Sequence, residues 1–132
     1  MLRVMLVDDE QWCLKELSDF VTSTGEAVIV GHHLNGREAL ASAEKERPDI
    51  AFVDVIMPGM TGLELAKKLK EHMQELKVVL VSESESYARH AFDIGVDDFI
   101  LKPVRLERVL KAMGAANGCG IPPKEKYKKE RK

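Results

Sequence analysis

Cysteine is scarce in this sequence, and the two that occur, Cys13 and Cys119, lie far apart and form no Cys-x-x-Cys pair. Such unpatterned thiols exclude a disulfide scaffold and a cysteine-based zinc site, and they suit a reducing compartment. No stretch approaches the roughly 20 consecutive apolar residues of a membrane span. The charged first residues are too short a segment for a signal peptide. These absences predict a cytoplasmic protein with no membrane partner.

A strong charge of one sign is also lacking, because the net charge at pH 7 is −2, and the whole chain gives no nucleic-acid signal. The charge is uneven, however. Residues 1–113 contain 14 basic and 20 acidic side chains, whereas residues 114–132 contain six basic and two acidic ones. We therefore expect one acidic domain over residues 1–113. A basic linker over residues 114–132 is expected to lead to an output domain that is absent from this chain.

Short apolar runs alternate with segments in which apolar residues recur at helical spacing. Continuous apolar strands between amphipathic helices are typical of a parallel sheet covered on both faces. The sequence therefore predicts an α/β fold, a single (βα)5 unit with a doubly wound parallel sheet. The predicted strands cover residues 2–7, 27–31, 50–53, 77–81 and 98–101, and the predicted helices begin near residues 11, 36, 61, 87 and 106.

Several local features of the helices follow from the same pattern. Asp8 or Asp9 is expected to cap the first helix, and Asn35 the second. Trp12 and Cys13 are expected to pack within the first helix's surroundings rather than to take part in chemistry. The inner stripe of the fifth helix is predicted to consist of Leu106, Val109, Leu110 and Met113.

Polar residues lie just past four of the predicted strands: Asp8 and Asp9, Asp54, Ser82, and Lys102. Because the carboxyl ends of parallel strands share one edge of the sheet, we expect these side chains to meet in one crevice. Carboxylates crowded there repel, since two unit charges about 4 Å apart interact by roughly 4 kcal/mol at an effective dielectric of about 20. Either one acid is protonated or a cation lies among them, and carboxylates with water are typical Mg²⁺ ligands.

This combination suits an incoming phosphoryl group. Lys102 and a metal would neutralise the phosphoryl oxygens, the Ser82 hydroxyl would bind one of them, and Asp54 would be the nucleophile that forms an aspartyl phosphate. Each residue alone also has an ordinary explanation: a helix cap for Asp8 or Asp9, a turn at Asp54, a loop serine, and a strand-to-helix junction at Lys102. Their occurrence together at one edge favours the functional interpretation.

The same residues carry a resemblance to a known family. The segments concerned are Val7-Asp8-Asp9-Glu10, Asp54 followed by Met57-Pro58-Gly59-Met60-Thr61-Gly62, Ser82, and Asp97-Asp98-Phe99-Ile100-Leu101-Lys102-Pro103. On these motifs, residues 1–113 resemble the receiver domain of two-component response regulators. The resemblance implies a flavodoxin-like sheet of strand order 2-1-3-4-5. It also implies that Asp54 accepts a phosphoryl group from the phosphohistidine of a sensor histidine kinase.

Individual roles are implied by the resemblance as well. Lys102 would bridge to the phosphoryl group, Ser82 would move toward it, Phe99 would rotate inward behind Ser82, and the peptide bond between Lys102 and Pro103 would be cis. Helix 4, strand 5 and helix 5 would form the surface that reports phosphorylation, by dimerisation of the chain with itself or by docking. DNA would be bound only through a missing output domain that controls transcription. The Mg²⁺ or Mn²⁺ ligands would be Asp8, Asp9, Asp54 and the backbone carbonyl of Ile56.

The sequence departs from the family pattern at three places. Phe99 replaces the tyrosine of many members and has no hydroxyl, and Ser82 replaces the commoner threonine but keeps the hydroxyl. Glu83 and Glu85 place two acids beside the mouth of the predicted pocket. By their charge, these acids are expected to slow the approach of an anionic phosphodonor or of hydroxide.

Other functions remain open at the level of sequence. A Mg²⁺-dependent phosphohydrolase with an aspartyl-phosphate intermediate would want an acid two residues after the nucleophile, where Ile56 stands. A flavin-binding module would need a phosphate-cradling loop after strand 1, where the acids from Asp8 to Glu10 would repel the phosphate. A docking module of the same fold that is never phosphorylated is not favoured, because no member of the site is missing. A stand-alone receiver that acts by protein docking remains an alternative. We expect no enzyme activity beyond the chain's own phosphotransfer and dephosphorylation.

Overall fold

The computed structural model describes residues 1–116, with the side chains of residues 1–114. Five parallel strands form one sheet of order β2-β1-β3-β4-β5, which confirms the predicted topology. The strands are β1 (Leu2–Val7), β2 (Ala27–His33), β3 (Ile50–Asp54), β4 (Lys77–Ser82) and β5 (Asp98–Leu101). The helices are α1 (Gln11–Ser23), α2 (Gly36–Glu46), α3 (Gly62–His72), α4 (Ala88–Asp93), which a short 3₁₀ turn over Glu85–Tyr87 precedes, and α5 (Leu106–Ala116).

Both faces of the sheet are covered, because consecutive residues of each strand point to opposite faces and both sets are apolar. On one face, Leu6, Phe52 and Ile100 pack with apolar residues of α1 and α5. On the other face, residues such as Val53 and Leu80 pack with α2, α3 and α4. All five residues of β3 are buried, including Asp54 at its carboxyl end. None of the helices within residues 1–116 is long and apolar enough to cross a membrane.

Helix starts are fixed by side-chain caps at α2 and α3 but not at α1. Asn35 Oδ1 accepts from the Glu38 N–H, which confirms the predicted cap of α2. The prediction that Asp8 or Asp9 caps α1 is wrong, because Glu10 occupies the N-cap position without a side-chain cap bond. Asp8 instead accepts from the Glu10 N–H at 2.9 Å, which leaves its second oxygen for the crevice.

The ends of several elements differ from the sequence-based bounds. β2 continues to His33, and β3 and β4 include Asp54 and Ser82 as their last residues. α5 continues to Ala116, into the segment that the sequence assigns to the linker, and residues 117–132, with Cys119, lie outside the described residues. The predicted inner stripe of α5 is only half right. Val109 and Met113 are buried, but Leu106 and Leu110 are exposed, because the covered side of α5 runs through Val109, Ala112 and Met113.

Candidate functional site

The parallel register brings the predicted polar residues to one edge of the sheet. Val7 pairs with Val53, so Asp8 lies beside Asp54, the residue that follows Val53. Asp54 in turn pairs with Val81, and Ser82 pairs with Leu101, the residue before Lys102. Because each strand ends at nearly the same level, four strands deliver their terminal side chains into one crevice.

The start of α3 also positions Asp54. The Thr61 hydroxyl accepts from the Glu64 N–H, and the Glu64 carboxylate accepts from the Thr61 N–H, so this helix begins with a complete capping box. Gly62 directly follows the cap and leaves no room for a side chain, since a Cβ there would lie 2.0 Å from the Asp54 carbonyl oxygen. The glycine therefore allows α3 to begin in contact with the backbone of Asp54.

Lys102 lies between two buried carboxylates. Its Nζ is 3.2 Å from Asp54 Oδ1 and 3.4 Å from Asp8 Oδ2. Asp54 is 7% exposed and Asp8 is 1% exposed, so neither charge is well hydrated. The lysine supplies the cationic partner that buried carboxylates require, but one ammonium group faces two of them.

The pKa of Asp54 is raised to about 6, first by burial and then by the nearby Asp8 carboxylate, while the charge and the hydrogen bond of Lys102 act to lower it. Burial likewise raises the pKa of Asp8, while the Glu10 N–H and Lys102 partly oppose that change. For Lys102, burial acts to lower the pKa, but the attraction of Asp54 and Asp8 outweighs it and raises the pKa above its ordinary value. The crevice therefore holds a fixed positive charge and an excess of poorly neutralised negative charge.

Asp8, Asp9 and Asp54 each place a carboxylate oxygen within 4.8 Å of the other two. Such an all-oxygen set fits Mg²⁺, which binds a few carboxylates and completes its octahedron with water. Asp9 is exposed and faces the solvent side of the cluster. Ile56, whose backbone carbonyl is the fourth ligand implied by the resemblance, lies in the loop between β3 and α3 with its side chain exposed.

Ser82 and Phe99 are both buried near the end of the sheet. The Ser82 hydroxyl accepts from the Ser84 N–H at 3.1 Å. Phe99 belongs to the apolar cluster on the face of the sheet that α3 and α4 cover, so its ring occupies an inward position. The Lys102–Pro103 peptide bond is cis.

The expectation that Trp12 and Cys13 are packing residues is confirmed for Cys13 and wrong for Trp12. Trp12 is 64% exposed, and its indole N–H donates to the Glu10 carboxylate at 3.0 Å. Cys13 is buried as expected, but its Sγ is 3.9 Å from Lys102 Nζ. Helical periodicity could not reveal either contact, because it predicts which side of α1 is apolar but not the polar partners of single residues. Trp12 thus borders the site as a solvent-exposed aromatic residue.

A groove of about 510 Å³ opens beside the crevice, lined by Asp8, Lys102, Trp12 and Glu83 among others. Glu83 and Glu85 are both exposed, and of these two predicted mouth residues Glu83 lines the groove. A small ligand approaching Asp8 and Lys102 along this groove would pass close to the Glu83 carboxylate.

A second ion pair near the site was missed by sequence reasoning. Asp98 of β5 is 1% exposed, and Arg108 of α5 binds both of its carboxylate oxygens. In the sequence, Arg108 is indistinguishable from the other charged residues of an amphipathic helix. No spacing rule links residues ten positions apart across a strand, a turn and a helix, so the pair had no sequence signal.

Comparison with known proteins agrees with these observations. The family model of the response regulator receiver domain matches residues 4–114. The chain is 36% identical over 114 residues to an uncharacterized response regulatory protein of Vibrio cholerae, covering 86% of this chain and 47% of the relative. It is 32% identical over 131 residues to the sensory transduction protein LytT of Bacillus anthracis, covering 99% and 49%. The chain thus spans about half the length of the curated relatives it matches.

Among solved structures, the fold resembles a chain of the CheX–CheY–BeF3–Mg²⁺ complex from Borrelia burgdorferi. The TM-score is 0.82 at 26% identity, and the match covers 88% of this chain and 89% of the other.

Proposed function

This chain belongs to the response regulator receiver domain family, and we propose that it is a phosphorylation switch that accepts a phosphoryl group from a sensor histidine kinase on Asp54. The observation that carries the proposal is the contact of Lys102 Nζ with Asp54 Oδ1 at 3.2 Å, beside three clustered carboxylates. A buried carboxylate can attack phosphorus there, while the adjacent ammonium group and a cation bound by the acid cluster would neutralise the charge of the phosphoryl oxygens.

Asp54 acts as the nucleophile in this proposal. With its pKa raised to about 6, it is mostly ionised at pH 7. A carboxylate oxygen forms a bond to phosphorus, the bond from phosphorus to the imidazole nitrogen of the donor breaks, and that nitrogen keeps the electron pair. Lys102 is placed to bind an oxygen of the transferred group by a charge-assisted hydrogen bond. The Ser82 hydroxyl accepts from the Ser84 N–H and can donate its own proton to another phosphoryl oxygen.

Asp8, Asp9 and Asp54 hold Mg²⁺ in this proposal, or Mn²⁺, with the backbone carbonyl of Ile56 as a further ligand. When bound, the ion would supply positive charge close to the phosphoryl oxygens. The donor set supports this assignment, because it consists of oxygen ligands whose mutual repulsion a divalent cation relieves.

Signalling requires two states that phosphorylation biases. Moving a population from 1:99 to 99:1 takes about 5.5 kcal/mol of differential stabilisation. We assign that stabilisation to the contacts of Lys102 and Ser82 with the phosphoryl group, and the inward Phe99 fills the space behind Ser82. The Ile56 side chain, an exposed apolar group two residues after Asp54, provides no acid for a leaving group. This favours a switch, without turnover of an external substrate, over a phosphohydrolase.

The partners of the whole protein are also part of the proposal. Because the curated relatives are about twice as long as this chain, we propose that residues 114–132, of which 117–132 lie outside the described residues, form a basic linker toward an output domain that controls transcription and makes the DNA contacts. A cytoplasmic location follows from that role. The receiver domain itself covers residues 1–113, and α5 runs three residues further, to Ala116.

The proposal is tested by incubating the chain with a small phosphodonor such as acetyl phosphate and Mg²⁺, followed by intact-mass measurement. We expect one phosphate adduct, which forms neither with excess chelator nor after heat denaturation of the chain. Asp19→Asn, at an exposed acid of α1, is the control and should be labelled normally. Release of inorganic phosphate with no adduct at any time point would favour the phosphohydrolase instead.

Mg²⁺ binding is expected to change the fluorescence of Trp12, because this tryptophan is the only one in the chain and its indole is bonded to Glu10 beside the acid cluster. Asp9→Asn should weaken the apparent affinity at least about tenfold, since even indirect partners of metal ligands often contribute that much. Glu16→Gln, an exposed acid of the neighbouring groove, is the matched control. Equal titration curves for the wild type and Asp9→Asn would contradict the ligand assignment.

Removing the acids at the pocket mouth is expected to speed labelling. The double variant Glu83→Gln/Glu85→Gln should react with an anionic phosphodonor about two- to fourfold faster at low salt, because each removed charge lowers a weak, screened repulsion. The difference should vanish at high salt. Glu75→Gln, at an exposed acid between α3 and β4, should change nothing. Identical rates for the double variant and the wild type at low salt would show that these acids do not hinder the donor.

The surface formed by α4, β5 and α5 is proposed to mediate self-association after phosphorylation. It presents three exposed leucines, Leu101, Leu106 and Leu110. We expect the phosphorylated chain to dimerise in sedimentation experiments and Leu110→Lys to weaken the dimer strongly. Leu34→Lys, which alters an exposed leucine between β2 and α2, should leave it unaffected. Dimerisation of Leu110→Lys at wild-type strength would remove this surface from the interface.

A further inference from the structure

The ion pair between Asp98 and Arg108 joins β5 to the first turns of α5. Arg108 Nη1 donates to Asp98 Oδ2 at 2.9 Å, and Nη2 donates to Asp98 Oδ1. This two-point contact fixes the orientation of the planar guanidinium group relative to the carboxylate, which a lysine could not do. Because Asp98 is almost fully buried, its carboxylate has little access to water and depends on Arg108.

The same pair holds the backbone of Phe99 on both sides. Asp98 Oδ1 accepts from the Phe99 N–H at 2.7 Å, and Arg108 Nη2 donates to the Phe99 carbonyl oxygen at 3.0 Å. Phe99 is the residue whose ring lies behind Ser82 in the proposed switch. Arg108 of α5 therefore contacts both the main chain of Phe99 and the carboxylate of Asp98, the residue before it.

We propose that Arg108 is a positioning residue that couples Phe99 to α5, so that a change at the phosphorylated crevice reaches α5 through the Asp98–Arg108 pair. The inference rests on the proposed phosphorylation of Asp54 and extends it to the route by which α5 responds. A shift of the Phe99 backbone changes the distance to Arg108 Nη2, and the guanidinium group, held by Asp98 at two points, passes the shift to the helix that carries it.

A competing route runs along the chain itself. Lys102 contacts Asp54, and residues 103–105 connect Lys102 to the start of α5. Movement of Lys102 could displace α5 through this short connection without any contribution from Arg108. The two routes can be distinguished by removing the Asp98–Arg108 pair while residues 103–105 stay unchanged. Only the route through Arg108 is lost in that case.

The test compares amide hydrogen exchange of β5 and α5 before and after labelling with acetyl phosphate and Mg²⁺, in the full chain. The informative variant is Asp98→Asn/Arg108→Met, because it removes the pair without leaving a buried charge unpaired, and the introduced amide oxygen can still accept from the Phe99 N–H. Arg105→Gln is the matched control, since Arg105 is an exposed arginine one residue before α5. Intact mass of the same samples reports the adduct independently.

In the wild type and in Arg105→Gln, labelling should change exchange in both β5 and α5. In the double variant the adduct should still form and β5 should still respond, but the labelling-dependent change in α5 should fall about fivefold, the lower end of typical coupling between sites. If the Asp98–Arg108 pair had only a structural role, its removal would alter the exchange of α5 equally in the unlabelled and the phosphorylated chain. The difference between these two states would then stay unchanged.

Three outcomes would overturn the inference. An undiminished α5 response in the double variant would assign coupling to residues 103–105. A wild type that carries the adduct but shows no response in α5 would mean that this helix does not receive the signal. A wild type that forms no adduct would overturn the proposed function first, and the coupling with it, and the mass measurement separates this case from the other two.

Discussion

Asp54→Asn is expected to abolish the phosphate adduct completely and, in metal-free buffer, to make the fold more stable. The adduct is lost because the amide is no nucleophile toward phosphorus. We expect neither neighbouring acid to replace Asp54, since Asp9 is exposed at the solvent side and Asp8 is engaged by Glu10 and Lys102. The fold becomes more stable because the ionised Asp54 carboxylate is poorly hydrated in the crevice, whereas a neutral amide there loses less hydration on folding. Activity and stability should therefore change in opposite directions at this position.

The pH dependence gives the sign of the stability effect. In the folded chain, the pKa of Asp54 is about 6, compared with an ordinary value of 3.8, so the folded state binds this proton more tightly than the unfolded state does. The ionised carboxylate thus opposes folding, and its contribution to stability falls as the pH rises from about 4 to about 6. Asp54→Asn should raise the free energy of unfolding at pH 7 by about 1–3 kcal/mol, because the rise from 3.8 to about 6, which already includes the contact with Lys102, corresponds to at most about 3 kcal/mol.

Urea unfolding at pH 7 and at pH 4 with a chelator measures this effect. The difference between Asp54→Asn and the wild type should be largest at pH 7 and should shrink at pH 4, where Asp54 is largely protonated. Asp19→Asn, which loses only an exposed pair with Lys15, should differ from the wild type by no more than about 0.5 kcal/mol at either pH. A destabilised Asp54→Asn at pH 7 would show that the Lys102 contact outweighs burial and the repulsion from Asp8.

The crevice could be predicted from sequence because parallel topology determines where strand ends go. Once five apolar runs alternate with helices, Asp54 and Lys102 must share an edge of the sheet, and no side-chain detail is needed to place them together. The architecture and the family are thus confirmed, whereas the chemical roles of the individual residues stay predictions.

Addition of Mg²⁺ should change the free energy of unfolding in the same direction as Asp54→Asn, since a cation that binds only the folded state stabilises it.

The parts that sequence could not supply depend on packing geometry. Leu106 and Leu110 have the spacing of an inner stripe, yet α5 is covered along a narrower arc through Val109 and Met113. Periodicity gives the direction of an apolar face but not its width, and here the outer part of that face is the surface we assign to self-association. The predicted cap of α1 is wrong because it, too, depends on packing geometry. The Asp8 side chain turns toward Lys102 and the neighbouring acids rather than over the end of the helix.

Arg108→Met is expected to destabilise the fold by about 3–5 kcal/mol, the usual cost of leaving one partner of a buried ion pair alone. The cost is large because Asp98 is 1% exposed and Arg108 binds both of its carboxylate oxygens, while the lost bond to the Phe99 carbonyl adds to it. In a domain of this size, such a loss is a large part of the total stability.

Removing the second charge as well should restore most of this stability. Asp98→Asn/Arg108→Met is expected to have a free energy of unfolding within about 1–2 kcal/mol of the wild type, because the neutral amide at position 98 no longer requires a cation and can keep its bond from the Phe99 N–H. Arg105→Gln removes the same charge from an exposed position and should cost no more than about 0.5 kcal/mol. Urea unfolding of the wild type, Asp98→Asn, Arg108→Met and the double variant gives the coupling energy of the pair as a double-mutant cycle. If Arg108→Met lowers the free energy of unfolding as little as Arg105→Gln does, water must reach the Asp98 carboxylate. The ion pair would then be too weak to couple Phe99 to α5.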